Sequence, residues 1–422
     1  MADKIIAVSD LHMGRGNNQD DFRSPVDGNW RDGEWEAFCG SVVDASEGKR
    51  LTFVLNGDII DLWEIAKDEE LSGPGAAEEI RRNLCYPAES PEAEDRATAF
   101  GMWQIDACLG VHRGFVNGLR TLLSAPNVRI VYTIGNHDHA MANPRLQAHF
   151  RDHVDEAGPV GAHDPERLRF SFYHQDDELH AYVEHGNQFA GDDSAFRNPA
   201  KWTEEALGYY ALRFTWNRYQ AQHNVIAPST AEQLSLVRAI LSGQYTPQQL
   251  EVMQYLIDYF LAFEDGAVPK LAGGFGIGIV HARWRKEGKP KEASELMAKR
   301  AAADLKAAKQ SETQAAGAAM GLLPGSPAEE LTPDPFYDRY TEGLITRFNG
   351  ASPPFPDLDA GSTNKLLLGH THRPLNQWLY RETFTKQRYL NCGTWTRELK
   401  SPTFAYVVTP NWKDLSGLRE FR

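Results

Sequence analysis

The sequence predicts an α/β (α+β) fold, on three observations. Strand-like and helix-like patterns alternate through the first half of the chain, which calls for βαβ units rather than an all-β or all-α domain. Five short apolar runs each lead directly into a block of carboxylate, imidazole or amide residues. Between Gly186 and Asn364 the β pattern lapses and aromatic helical segments replace it.

Taken in order, the first run is Ile5-Ile6-Ala7-Val8, a buried-strand pattern that opens into Ser9-Asp10-Leu11-His12. Asp10 and His12 are two residues apart, so an extended chain sends both side chains to one face. The second run, Leu51 to Leu55, leads into Gly57-Asp58-Ile59-Ile60-Asp61. Trp103, Ala107, Val111, Phe115 and Leu119 then recur at four-residue spacing, with Phe100, Cys108 and Leu122 beside them. That stripe predicts one long amphipathic helix packed on the core. The third run, Val128 to Ile134, precedes Gly135-Asn136-His137-Asp138. Arg169 to Tyr173 and His180 to Val183 are expected to pair as strands, and Ala181-Tyr182-Val183 leads into Glu184-His185-Gly186.

Trp202 to Tyr219 and Pro247 to Phe263 are the clearest helical segments of the β-poor stretch. Residues 281–310 carry nine Lys or Arg against four Asp or Glu, a pattern that reads as a solvated, Ala-rich helix face. Ser311 to Pro335 and Ala351 to Pro356 have the composition of connections. The fifth run, Leu366-Leu367-Leu368, precedes Gly369-His370-Thr371-His372, and strands are expected again at Trp378 to Tyr380, Arg388 to Leu390 and Phe404 to Val408. The expected organisation is one domain formed by 1–185 and 365–422, carrying a mainly helical insertion over 186–364.

The 422 residues carry a net charge of -14, which argues against a general nucleic-acid coat, because phosphate-backbone binders present a basic face. Four cysteines, Cys39, Cys85, Cys108 and Cys392, form no CxxC pair and are too few for a disulfide scaffold of this size. The N-terminus enters the first strand without room for a secretory leader, so the expected location is cytoplasmic. Leu271 to Val280 is too short to span a bilayer and contains four glycines, which leaves only peripheral membrane contact. The Gly273-Gly274-Phe275-Gly276 run lacks the preceding strand and spacing of a nucleotide loop.

Each polar block would lie at the C-terminal end of a strand, the edge at which open α/β sheets bind ligands. Asp58 offers two oxygens that can bridge two cations, Asn136 a neutral amide oxygen, and His185, His370 and His372 imidazoles. A mixed nitrogen and oxygen set without thiolate favours manganese, iron, zinc or cobalt over calcium and excludes a structural zinc finger. The pattern is that of a dinuclear metallohydrolase. Around it, Asp61 is either an acceptor that fixes a ligand or a helix N-terminal acid. His139 has a capping or surface role or touches substrate, His174 and His180 belong to the fold or the surface, and Arg373 reaches a phosphate or is solvated.

In this order and strand context, from Ser9 to Pro374, the blocks resemble the calcineurin-like metallophosphoesterase family. The resemblance implies a four-layer αββα sandwich of two mixed β-sheets. It implies two divalent ions, manganese ahead of iron, zinc or cobalt, one held by Asp10, His12, Asp58 and His372 and the other by Asp58, Asn136, His185 and His370. The implied reaction is hydrolysis of a phosphate ester or pyrophosphate by a metal-bridging hydroxide. His137 would contact phosphate or protonate the leaving oxygen, and Asp138 would orient it. In motif style the chain is most similar to the UDP-diacylglucosamine hydrolase branch, through Ser-Asp-Leu-His, the His-Gly block and Gly-His-Thr-His-Arg-Pro. Members of that branch cleave a pyrophosphate on a lipid-like nucleotide sugar and carry a helical lid after the position of His185. This chain departs from the branch in having His137 where Arg is usual and in its far larger insertion. The expected substrate is a phosphorylated small molecule or a lipid- or nucleotide-linked one, with Trp202, Tyr209, Tyr210, Phe214 and Trp216 as candidate walls of a lid. A DNA nuclease of the recombination-repair type shares the ligand order but wants a basic face. A non-catalytic scaffold on the same fold would lose ligands, whereas all seven are present here.

Overall fold

The computed structural model describes residues 4–17, 20–67, 91–189, 194–196, 198–203, 205, 206, 209, 217, 365–372, 374–380, 386–408 and 416–421. The chain divides into two compact units, one of residues 1–66, 88–209 and 345–422, the other of 67–87 and 210–344. All that follows concerns the first. Most of the expected insertion lies outside the described residues, including the 247–263 helical segment, the 271–280 apolar run with its glycines, the basic stretch 281–310 and both connections. Cys85, Tyr210, Phe214, Trp216 and Arg373 also lie outside them.

Two mixed β-sheets organise the unit. The first contains β1 (Lys4–Val8), β2 (Leu51–Asn56), β3 (Val128–Thr133) and β4 (Leu168–Ser171), all parallel, and is extended beyond β1 by antiparallel β10 (Thr403–Val408) and β11 (Gly417–Glu420). The second runs in the order β5 (Tyr173–Asp176), β6 (Ala181–Glu184), β7 (Lys365–Leu368), β9 (Lys386–Cys392) and β8 (Pro374–Tyr380). There β6, β7 and β9 are parallel, and β5 and β8 are antiparallel edges.

The period of two along each strand decides the layering. Ile5 and Ala7 of β1, Val54 of β2 and Val131 of β3 pack against Val183, Leu367, Leu390 and Cys392 of the second sheet. The alternate residues Ile6, Val8, Phe53, Leu55, Ile130 and Tyr132 face the opposite side, in one core with the helices. Both faces of the central strands are thus covered, which is why β1 to β3 read as largely apolar runs. Among the helices, α1 (Asp32–Ser46) buries Trp35, Phe38, Cys39 and Val42, spaced as one helical face. Full burial of such side chains contributes about 1.5–3 kcal/mol each. Helix α4 (Pro144–Asp155) begins with the Asn143 side chain accepting from the Arg145 N–H and with Pro144 in the first turn, and it buries Leu146, Phe150 and Val154. Cys39, Cys108 and Cys392 are buried free thiols. Among the described residues no helix is long and apolar enough to cross a membrane.

Two expectations change. The single long helix is two, α2 (Pro91–Val111) and α3 (Arg113–Ser124), separated at His112. The His112 ring is clamped between carboxylates, with Nδ1 2.9 Å from Asp32 and Nε2 2.7 Å from Asp20, and Asp32 also accepts from the Phe115 N–H at the start of α3. The break moves the buried face of α2 to Gly101, Gln104, Ile105, Cys108 and Leu109, leaving Val111 exposed. The second change is at Arg169 to Tyr173, which does not form a single strand. The chain leaves β4 at Ser171, where it has paired with β3, and begins β5 at Tyr173, which joins β6 in the other sheet. Phe172 is therefore where the chain crosses between sheets.

Candidate metal centre

The parallel strands of each sheet bring their C-terminal loops to common edges. Val8 is followed by Asp10 and His12, Asn56 by Asp58, Thr133 by Asn136 and His137, Glu184 by His185, and Leu368 by His370 and His372. Backbone hydrogen bonds zip the first two loops together, Asp10 N–H to the Gly57 carbonyl at 3.1 Å and His12 N–H to the Asp58 carbonyl at 3.0 Å. The Gly369 N–H donates to the His185 carbonyl at 2.9 Å and ties the loops of the second sheet. The His370 N–H donates to the Asp10 carboxylate at 2.9 Å, linking the two sheets' loops.

Five residues of these loops hold left-handed backbone without being glycine: Asp10 (φ 55°), His12 (47°), Asp58 (53°), His370 (68°) and His372 (56°). Each such residue costs about 1–2 kcal/mol relative to a right-handed one, and strain of this kind persists where a site over-determines it. The neighbouring glycines have a separate reason. A Cβ on Gly369 would collide with the Ser9 hydroxyl and the Asp10 carboxylate, and one on Gly135 with the Asp58 carboxylate.

Side chains from all five loops converge. Asp10, His12 and His372 form one group of mutually close ligand atoms, and Asp58, His185 and His370 another. His12 Nε2 lies 3.1 Å from His372 Nε2, and His372 Nε2 3.4 Å from Asp10. Asp58 Oδ2 is between the groups, 3.7 Å from His12 Nε2 and 3.1 Å from His185 Nε2. Asn136 is buried next to them, since the His137 N–H donates to Asp58 at 2.9 Å. These seven expected residues are brought together.

The partners of the imidazoles decide which nitrogens face inward. His12 Nδ1 meets Asp61 at 2.7 Å, His372 Nδ1 meets Glu398 at 3.0 Å and His185 Nδ1 meets the Asn56 carbonyl at 2.9 Å. With each Nδ1–H donating outward, the Nε2 lone pairs of neutral rings point at one another and at carboxylates, an arrangement that a cation resolves. Two buried atoms fit that reading. Among the described residues, Asn136 Oδ1 and His185 Nε2 have no hydrogen-bond partner, although the latter is at ion-pair distance from Asp58. These His and Asp groups can hold a metal ion.

The electrostatics agree that positive charge is required. Burial raises the Asp10 carboxyl, but His185 and hydrogen bonds from His12 and His372 outweigh it and hold the group well below the ordinary range. Burial likewise opposes the lowering of Asp58, which His185 and His137 bring about. Burial would lower His185 and His372, yet the carboxylates beside them raise both to about 9. His370 is depressed to about 3 by burial and then by His185, so its ring is neutral. Imidazolium rings and metal cations are alternative ways to meet the same buried negative charge.

Asp138 is placed differently from the expectation. Asp138 does not orient His137. It is fully buried, accepts from the Gly135 N–H at 2.6 Å, the Ile59 N–H at 2.9 Å and the Tyr132 hydroxyl at 2.6 Å, and so braces the loop. Burial and then the Asp58 charge raise it to about 6. Asp61 takes the orienting role, with both oxygens 2.9 Å from His137 Nδ1. It also accepts from the Glu64 N–H at 3.1 Å, but residues 62–64 form a turn and not a helix, so the ligand-fixing alternative holds and the helix N-terminal one does not. Trp63 stacks on the His137 ring with centroids 4.0 Å apart. His139 is buried, with its ring 4.5 Å from that of Phe196. His174 is buried beside Arg169 and depressed to about 3 by burial and that cation, while His180 occupies a left-handed turn position before β6.

Sequence reasoning missed Glu398, the Asn56 carbonyl and Trp63. Trp63 carried a local signal, an aromatic two residues after Asp61. Glu398 carried none, because it is 26 residues from His372. No family model and no curated protein matches the chain.

Proposed function

We propose that the chain is a dinuclear metal-dependent phosphoesterase of the calcineurin-like type, and that its two sheets are the inner layers of a four-layer αββα sandwich. The observation that supports this most is the position of Asp58. Its carboxylate lies between the Asp10, His12, His372 group and the Asp58, His185, His370 group, within 3.7 Å of an imidazole of each. A carboxylate that belongs to one ligand cluster and also faces an imidazole of the other is placed to serve a pair of divalent ions.

In this reading Asp10, His12, Asp58 and His372 hold one ion and Asp58, Asn136, His185 and His370 the other. Manganese leads, with iron, zinc or cobalt as substitutes. When bound, such a pair supplies Lewis acidity that activates water near neutral pH and neutralises phosphoryl charge. The chain's own residues do the rest. With Nδ1 committed to Asp61, His137 has Nε2 for a substrate oxygen, and Trp63 holds the ring flat. A proton delivered to the leaving oxygen there contributes about 10²–10⁴ in rate. Glu398 and Asp61 keep His372 and His12 oriented through their Nδ1 atoms. The acidic chain fits a phosphorylated small molecule, or a lipid- or nucleotide-linked one, better than a nucleic-acid backbone.

The test combines metal analysis with a substrate panel of an aryl phosphate monoester, a bis-aryl diester and a pyrophosphate. The metal-loaded chain is expected to hydrolyse at least one of them, and Asp58→Ala to lose both turnover and metal at both positions. Full metal content with retained turnover in Asp58→Ala would overturn the proposal. His137→Ala is expected to keep its metal and lose at least about tenfold in kcat, with a smaller loss for leaving groups that need no proton.

A further inference from the structure

A second cluster of ligand-type side chains lies away from the strand-end loops, between helices α2 and α4. His149 and His153 occupy positions i and i+4 of α4 and so share one face of that helix. Both send Nε2 to the same atom, Oδ1 of Asp106 on α2, at 2.7 and 2.8 Å. The two rings stand edge to face with centroids 5.2 Å apart. All three ligand atoms lie within 4.8 Å of one another. The side chains remain reachable from solvent, Asp106 at 52% exposure and the two histidines at 25% and 17%.

We propose that Asp106, His149 and His153 form a separate surface site for a borderline divalent cation of the zinc type. Two imidazole nitrogens and one carboxylate oxygen suit zinc, and the oxygen-seeking ions calcium and magnesium poorly. In a tetrahedron with bonds near 2.0–2.1 Å, ligand atoms are about 3.4 Å apart, so each ring need withdraw from Asp106 by only about 0.6 Å. Each imidazole would bind as the neutral Nδ1–H tautomer, its Nε2 proton passing to solvent while solvent protonates Nδ1, and a water takes the fourth position. The ligands stand on two packed helices, and on α4 the neighbours of the two histidines, Phe150 and Val154, are buried, so the site is held by regular structure rather than a loop. A cation there crosslinks α2 to α4. The site shares no residue with the strand-end cluster.

The experiment uses the full chain, stripped with a chelator and titrated with Zn²⁺ against a chromophoric competitor. Wild type is compared with the His149→Ala/His153→Ala double variant and with Asp106→Asn. The wild type is expected to bind one zinc equivalent more than the double variant, whatever the strand-end loops take up in both. Asp106→Asn, which trades the charged ligand oxygen for a neutral amide, should bind that equivalent at least about tenfold more weakly. Saturating zinc should raise the melting temperature of the wild type by several degrees more than that of the double variant. Equal zinc stoichiometry in the wild type and the double variant overturns the proposal. So does unchanged affinity in Asp106→Asn, which also decides the matter if the double variant fails to fold. Competition by Mg²⁺ as effective as by Zn²⁺ would refute the nitrogen-based donor set.

Discussion

Replacing His112 by Ala removes an imidazole held at full burial between two carboxylates, and its effect on stability should depend on pH in a calculable way. Burial lowers the proton affinity of this ring, but Asp20 and Asp32 outweigh burial and raise its pKa from an ordinary 6.5 to about 9. At about 1.4 kcal/mol per tenfold change in proton affinity, that elevation amounts to roughly 3 kcal/mol of folded-state preference for the imidazolium. Because the folded value lies above the unfolded one, the contribution is complete below pH 6.5 or so, declines as pH rises and is gone above about 9. The Ala variant should therefore be less stable than wild type by about 3–5 kcal/mol at pH 6, where it also leaves Asp20 buried without its counter-charge. The gap should narrow by roughly 3 kcal/mol by pH 10. Urea unfolding at the two pH values, with free metal held constant, measures it. Tryptophan fluorescence is a local reporter, since Trp30 packs edge-on against the His112 ring at 5.5 Å and the Trp35 indole donates to the Phe115 carbonyl at 3.1 Å. A gap of equal size at both pH values would show that His112 is a neutral spacer and would refute the reasoning.

Three further substitutions separate the roles of neighbouring acids and loops. Asp61→Asn weakens the acceptor of both His12 and His137, so metal affinity should fall about 10–100-fold together with kcat. Asp138→Asn should instead cost roughly 1–3 kcal/mol of stability while the folded fraction keeps its leaving-group dependence, because its three hydrogen bonds brace backbone and the Tyr132 hydroxyl. If the leaving-group dependence is lost in Asp138→Asn and kept in Asp61→Asn, the assignment of the orienting acid is wrong. Gly369→Ala should reduce bound metal with the far-UV spectrum unchanged, since the new methyl displaces Ser9 and Asp10, and undiminished metal content would show that this loop relaxes freely.

What could be read from the sequence was set by the range of the interactions involved. The strands before Asp10, Asp58, Asn136, His185 and His370 were legible because burial on both faces writes itself as a short apolar run, and the glycine and polar residues that follow mark its end. The break at His112 was not legible, because its cause is a pair of carboxylates 80 and 92 residues away. Spacing alone continued the helix through it. The crossing at Phe172 was hidden because β4 and β5 are separated by one residue and differ only in which distant strand each pairs with. Asp61 and Asp138 both flank His137 in plausible ways, and only the fold distinguishes an acid that meets the ring from one that meets three donors elsewhere. Strand β11, a four-residue edge with two exposed charged residues, has too little apolar character to announce itself.

His12 and His372 are 360 positions apart in the chain and 3.1 Å apart in space, and this separation sets an order of events during synthesis. A chain emerging N-terminus first exposes Asp10, His12 and Asp58 long before His370 and His372 exist, and a ligand set spread over both sheets has no local precursor. Closing so long a separation has an entropic cost that grows with the logarithm of its length and is offset only by the packing of the two sheets. Any ion these residues bind would therefore be taken up after folding, in contrast to small zinc domains whose ion drives the chain to fold. A product truncated before residue 365 would retain β1 to β3 and four of the carboxylate and imidazole residues, Asp10, His12, Asp58 and His185, yet it would lack the two histidines that complete the clusters, and quality control would have to recognise it by its uncovered sheet face rather than by a missing ion.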